Sequence, residues 1–135
     1  MIVTAEEFVR LRSSTDPAEY GRAATEEAPL EVWYDVIDRF PDYRQWVAHN
    51  KTIPMEILEV LATDPDWIVR TMVASKNKLT PELMALLARD PREAVRHTIA
   101  HHKRAPRELL EELRNDPWDA IRILANERLA RMTGD

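Results

Sequence analysis

Apolar residues recur along this chain in short stripes that lie three, six and seven places before a series of aspartates. Leu61, Leu58 and Ile57 precede Asp64 in this way, Leu87, Met84 and Leu83 precede Asp90, and Leu113, Leu110 and Leu109 precede Asp116. Such spacing puts three side chains on one face of a helix. A second stripe follows each aspartate: Val69, Met72 and Val73, then Val95 and Ile99, then Ile121, Leu124 and Ala125. Prolines punctuate the pattern. Pro29, Pro54, Pro81 and Pro106 are each suited to a first helical turn and mark the start of the first helix of a pair. The pairs Asp64-Pro65, Asp90-Pro91 and Asp116-Pro117 predict the start of the second, with Asp as N-cap and Pro just inside.

The three Asp-Pro pairs are spaced by 26 residues, and an arginine follows each Asp by six: Arg70, Arg96 and Arg122. Upstream, Arg44-Gln45-Trp46-Val47-Ala48 fits the frame of Arg70-Thr71-Met72-Val73-Ala74, and Asp16-Pro17 with Arg22 repeats the motif with shorter flanks. Neither helix of a pair is long enough to stand alone, so burial has to come from stacking on neighbouring pairs. The expected fold is all-α: a right-handed α-solenoid of about five degenerate two-helix repeats, with a capping helix over residues 4–12. We expect a single domain over residues 1–135, with the cap and a degenerate first repeat in 1–27, regular repeats in 28–131 and a tail in 132–135.

The segment from Ile53-Pro54-Met55-Glu56-Ile57-Leu58 through Asp64-Pro65-Asp66, Val69-Arg70 and Val73-Ala74 resembles the leucine-rich repeat variant unit and is similar to short bacterial HEAT repeats. The likeness spans about residues 28–130. It implies that Asp64, Asp90 and Asp116 form a structural ladder with Arg70, Arg96 and Arg122 between adjacent repeats. Some leucine-rich repeat variant proteins carry a cysteine-bound cluster, and that feature does not transfer to a chain without cysteine.

Composition narrows the chemistry. Two glycines against nine prolines argue against hairpin-rich sheets and phosphate-cradling loops, which need residues at positive φ. The absence of cysteine excludes disulfides, thiolate metal sites and a cysteine nucleophile. The first residues have neither a basic nor an apolar stretch of the kind that directs secretion, and no apolar run approaches bilayer length. The expectation is a cytoplasmic protein without a membrane partner. A net charge of −5 disfavours nucleic acid, although it does not forbid a local basic strip.

On the second helices, the side opposite the stripe carries Trp67, Thr71 and Ser75, then Glu93, His97 and His101, then Asp119, Ile123 and Glu127, with Gln45 and His49 in the earlier repeat. These positions vary while the stripe keeps its character. Gln45, His49, Trp67, Thr71, Ser75, Glu93, His97, His101 and Ile123 therefore form the candidate partner-binding strip, with Trp67 as either an exposed anchor or a side chain packed on the next helix. A basic edge recurs at the helix ends: His49-Asn50-Lys51, Lys76-Asn77-Lys78 and His101-His102-Lys103-Arg104. It is either an electropositive rim or the usual pairing of cations with helix C-termini, answered by Glu56, Glu82 and Glu108 in the next first turns. His97 and His101, four apart and with Glu93 preceding, have a metal-like spacing, but a solvated face explains them and no metal is expected. Trp33, Tyr34, Phe40 and Trp46 are expected to fill core.

No catalytic constellation, cofactor motif or phosphate loop is present, so a non-enzymatic protein-binding module is expected, without cofactor. Small arrays of the kind this chain resembles include accessory and immunity proteins that hold one cognate protein. The alternative implied by resemblance is a nucleic-acid-binding protein related to HEAT-like alkylpurine DNA glycosylases, which are larger and more basic.

Overall fold

In the computed structural model, which describes residues 1–133, the described residues form ten α-helices and one 3-10 turn, with no strand. Their tertiary contacts gather into two compact units, Met1–Asp64 and Pro65–Asp135. Of the expected tail, Met132 ends the last helix, Thr133 caps it, and residues 134–135 lie outside the described residues.

The first unit contains α1 (Ala5–Ser13), α2 (Pro17–Thr25), α3 (Leu30–Arg39), a 3-10 turn (Pro41–Tyr43), α4 (Arg44–His49) and α5 (Met55–Leu61). Thr4 opens α1 as N-cap, accepting the Glu7 N–H at 3.0 Å, while the Glu7 carboxylate accepts the Val3 N–H at 2.8 Å. This is a variant of the reciprocal capping box. Helix α1 packs on α2 and α3, and α4 packs on α2, α3 and α5. The core is aromatic at its centre: Phe8 meets Trp33 edge-on at 5.2 Å, and both are buried. Trp33 and its neighbours Val32 and Val36 occupy one face of α3. Tyr34, a further helical step round, lies outside that face and is exposed, contrary to the core role expected of it. Phe40 and Trp46 are half-buried.

The second unit contains α6 (Trp67–Ala74), α7 (Pro81–Ala88), α8 (Glu93–His101), α9 (Arg107–Leu113) and α10 (Asp119–Met132). Helices α6, α8 and α10 pack in succession, α7 packs on α9, and cross-contacts join α7 to α8 and α9 to α10. Val69, Val95 and Ile121 are buried, as are Leu83, Met84, Leu87, Leu109, Leu110 and Leu113, so the inner faces here are almost wholly aliphatic. Met72 and Leu124, expected in the stripe, are half-buried.

The helix starts depart from expectation in a consistent way. Pro29, Pro54 and Pro106 stand at the N-cap rather than in the first turn; Pro81 alone of the four stands inside, with Thr80 capping. Asp64, Asp90 and Asp116 are not N-caps: Asp66, Arg92 and Trp118 are. The reason is competition for the carboxylate. Asp90 Oδ1 accepts the N–H of Arg92 and Asp116 Oδ1 that of Trp118, both at 2.9 Å, which closes a turn ahead of the helix. The same carboxylates receive an arginine from the preceding repeat.

Arg70 Nε donates to Asp90 at 2.7 Å and Arg96 Nε to Asp116 at 2.8 Å; in the first unit Arg44 Nη1 donates to Asp64 at 3.3 Å. Each arginine also turns back on its own repeat. Arg96 reaches the carbonyls of Asp90 and Pro91, Arg70 that of Pro65, and Arg44 that of Ile37. Arg122 is the end of the series: it donates to the Asp116 carbonyl and to the Asp119 carboxylate in its own repeat. The three aspartates are buried. Burial makes each link costly to break, since a lone partner would keep an uncompensated charge out of water.

A second series falls at positions 50, 102 and 128, separated by multiples of 26 residues; the sequence reading placed Asn50 and His102 in the basic edge and did not single out Arg128. Asn50, fully buried, donates to the carbonyls of Ala23 and Glu26 at 2.8 and 3.0 Å. His102, also buried, bonds the Lys76 carbonyl through Nε2 at 2.7 Å and accepts the Arg104 N–H at Nδ1. That pair of bonds specifies the tautomer with the proton on Nε2. Arg128 donates to the carbonyls of Ala100 and His102, both at 2.7 Å. These side chains satisfy carbonyls left over at the end of the previous second helix, which explains how glycine-free helix ends are tolerated. Asn50 and His102 are thus structural rather than part of a charged rim.

Candidate partner-binding surface

The strip residues fall on the second helices, with unequal exposure. In the second unit Ser75, His101 and Ile123 are exposed, while Trp67, Thr71, Glu93 and His97 are half-buried. The Thr71 hydroxyl donates to the Trp67 carbonyl and that of Ser75 to the Met72 carbonyl, so both are engaged within their own helix end. In the first unit Gln45 is half-buried and His49 exposed, its ring edge-on to Trp46 at 5.8 Å.

Of the two alternatives for Trp67, exposed anchor or packed side chain, its half-buried ring lies nearer the second, with the Arg92 guanidinium over it at 4.3 Å. One repeat later both residue types are replaced in the frame. Glu93 stands where Trp67 stood, and Trp118 where Arg92 stood. The consequence is a cleft of about 250 Å³ lined by Glu93, Ala94 and His97 of α8 and by Trp118, Ala120 and Ile121. Trp118 is 51 % exposed and Ile123, farther along α10, 57 %. Sequence reading missed Trp118 because it sits in the connection ahead of α10. The signal available was the switch from Asp66 and Arg92 to an indole at one frame position.

His97 and His101 meet edge-on at 4.8 Å. Burial, and secondarily the neighbouring His101, hold the His97 imidazole below its ordinary range. Among the described residues no three histidine, aspartate or glutamate side chains converge on a point that could hold a metal ion. The edge residues Lys51, Asn77, Lys78, Lys103 and Arg104 are exposed, and Arg104 donates to the Asn77 carbonyl. No helix among the described residues is long and apolar enough to cross a membrane. The second unit thus sets an indole, a carboxylate and an imidazole around one cleft. No protein-family model, curated protein or solved structure matches this chain.

Proposed function

We propose that this chain is a non-enzymatic protein-binding module, an α-solenoid of short repeats of the HEAT or leucine-rich repeat variant type. The observation that carries this reading is the division of labour among repeated positions. The recurring residues are consumed by core and by links between repeats, whereas the varying ones stay out of the core, and Glu93 and His97 among them line a cleft with the exposed Trp118. An exposed indole beside a cleft is the commonest kind of energetic anchor in protein interfaces. The adjoining Glu93 favours a partner side chain that brings an N–H donor or a cation to the indole face. One cognate partner, held in an accessory or immunity role, is the form of function this suits.

The test is capture from the native host with the wild-type chain and with Trp118→Ala as paired baits. The reading expects one protein retained by the wild type and lost by the variant, with both baits showing the same helical circular dichroism. Capture that survives Trp118→Ala and Ile123→Ala together places the interface elsewhere, and no capture above background removes the reading. Binding to nucleic acid would instead show affinity falling steeply with salt.

A further inference from the structure

The first unit contains a cleft of about 290 Å³ between α1, α2 and α4, lined by Arg12, Tyr20, Gly21, Ala23, Ala24, Trp46 and His49. Among the described residues lining it, none is a carboxylate. Its cation is unusual within its unit. Arg10 pairs with Glu19, Arg22 with Glu26, Arg39 with Asp35 and Arg44 with Asp64, whereas Arg12 faces no carboxylate among the described residues. The Arg12 guanidinium lies over the Trp46 ring at 3.5 Å and 6.0 Å from the Tyr20 ring. Its Nε is buried and has no hydrogen-bond acceptor among the described residues. A stack occupies the face of a guanidinium and leaves the in-plane N–H groups of its edge to bond. Here the Nε–H is buried and unanswered. A buried polar group without a partner in a native fold calls for an explanation.

Gly21 supplies an independent observation. It lies inside α2, where glycine weakens a helix relative to alanine, yet a Cβ built there would meet nothing within 4 Å. Packing within the fold does not require the glycine. Its absent side chain leaves the wall of the Arg12 cleft open.

We propose that this cleft binds a carboxylate borne on a short apolar body. The edge of Arg12 takes the carboxylate, and the body lies along Trp46 and the open wall at Gly21 and Ala24. A single guanidinium matches one negative charge and the planar two-oxygen geometry of a carboxylate. A phosphate dianion would find too few cations here. The group could come from a protein chain's C-terminus or from a free small acid.

The test is a proton–nitrogen NMR titration of the full chain with 3-phenylpropionate, its uncharged amide and inorganic phosphate. The expected result is saturable shifts of the Trp46 indole N–H and the Arg12 Nε–H with the acid, and affinity about tenfold or more weaker for the amide and phosphate, a difference of about 1.4 kcal/mol. Arg12→Gln should weaken the acid by a similar factor. Gly21→Leu, which keeps Arg12 and its stack, should close the cleft and abolish the shifts. Equal binding of the amide, equal binding of phosphate, or shifts that persist in both variants would overturn the assignment, as would an absence of saturable shifts. A peptide ending in phenylalanine, compared as free acid and C-terminal amide, separates the sources: tighter binding than the free small acid points to a protein terminus, weaker binding to a small molecule.

Discussion

The two units stabilise themselves by different means. In Pro65–Asp135 the inner faces are aliphatic, and successive repeats are tied by buried Arg–Asp pairs and by His102 and Arg128 reaching back to the preceding helix end. In Met1–Asp64 the centre is the edge-on pair Phe8 and Trp33, and links of the repeating kind stand toward its end, at Arg44–Asp64 and Asn50. The frame explains the contrast. The residue 26 before Asp64 is Asp38, and the residue 26 before Arg44 is Ala18, so no arginine is supplied to Asp38, which stays exposed. Arg22 pairs instead with Glu26, a carboxylate on its own helix end, and with the amino terminus this holds Glu26 down to about 2. Repetition therefore fixes contacts only where both members of a link recur.

The sharpest way to break this contrast is to remove equivalent carboxylates. Asp90→Ala strands Arg70 in a partly buried site and should cost about 3–5 kcal/mol, whereas Asp38→Ala should stay within about 0.5 kcal/mol. Urea denaturation of the two variants compares them directly, and equal costs would remove the distinction. Next in size is the second series. His102→Ala leaves the Lys76 carbonyl and the Arg104 N–H unmet and should cost about 1–3 kcal/mol, while the exposed neighbour His101→Ala should be nearly silent.

The smaller effects sharpen the picture of each unit. Gly21→Ala should stabilise the first unit by about 0.5–1 kcal/mol, read as a raised melting temperature, because no packing inside the fold needs the glycine. In the second unit His97 gives a weak pH dependence. Its folded pKa is lowered, so below its ordinary value of 6.5 the unfolded chain binds the proton more readily. Stability should fall slightly as pH drops from 6.5 toward the depressed value and be level above 6.5. Thermal melts of wild type and His97→Gln between pH 5 and 7.5 should show a shallower slope in the variant.

How far this architecture could be read in advance follows from which residues repeat. The leucines of α7 and α9 and the valines of α6 and α8 were legible because burial demands the same residue class at every turn of the frame. The helix starts were misplaced by two residues at Asp64, Asp90 and Asp116, since sequence shows a good capping residue but not the arginine that competes for it. Asn50, His102 and Arg128 escaped notice as a series because carbonyl recognition tolerates an amide, an imidazole or a guanidinium. Trp118 differs from its frame partners Asp66 and Arg92, and that switch, outside the helix-face positions used to draw the strip, was its one cue. The Arg12 cleft joins α4 to α1, which lies outside the regular frame, and to the shortened α2 unit, so no periodicity announces it.

The central claim is that the recurring Arg and Asp act across adjacent repeats rather than within one. A double-mutant cycle on Arg96→Ala and Asp116→Ala by urea denaturation tests it most directly, with Arg122→Ala and Asp116→Ala as the within-repeat control. The account predicts a coupling of about 1–3 kcal/mol for the first pair and markedly less for the second. Additivity of Arg96 and Asp116 within about 0.5 kcal/mol, or a stronger coupling for the control pair, would contradict it.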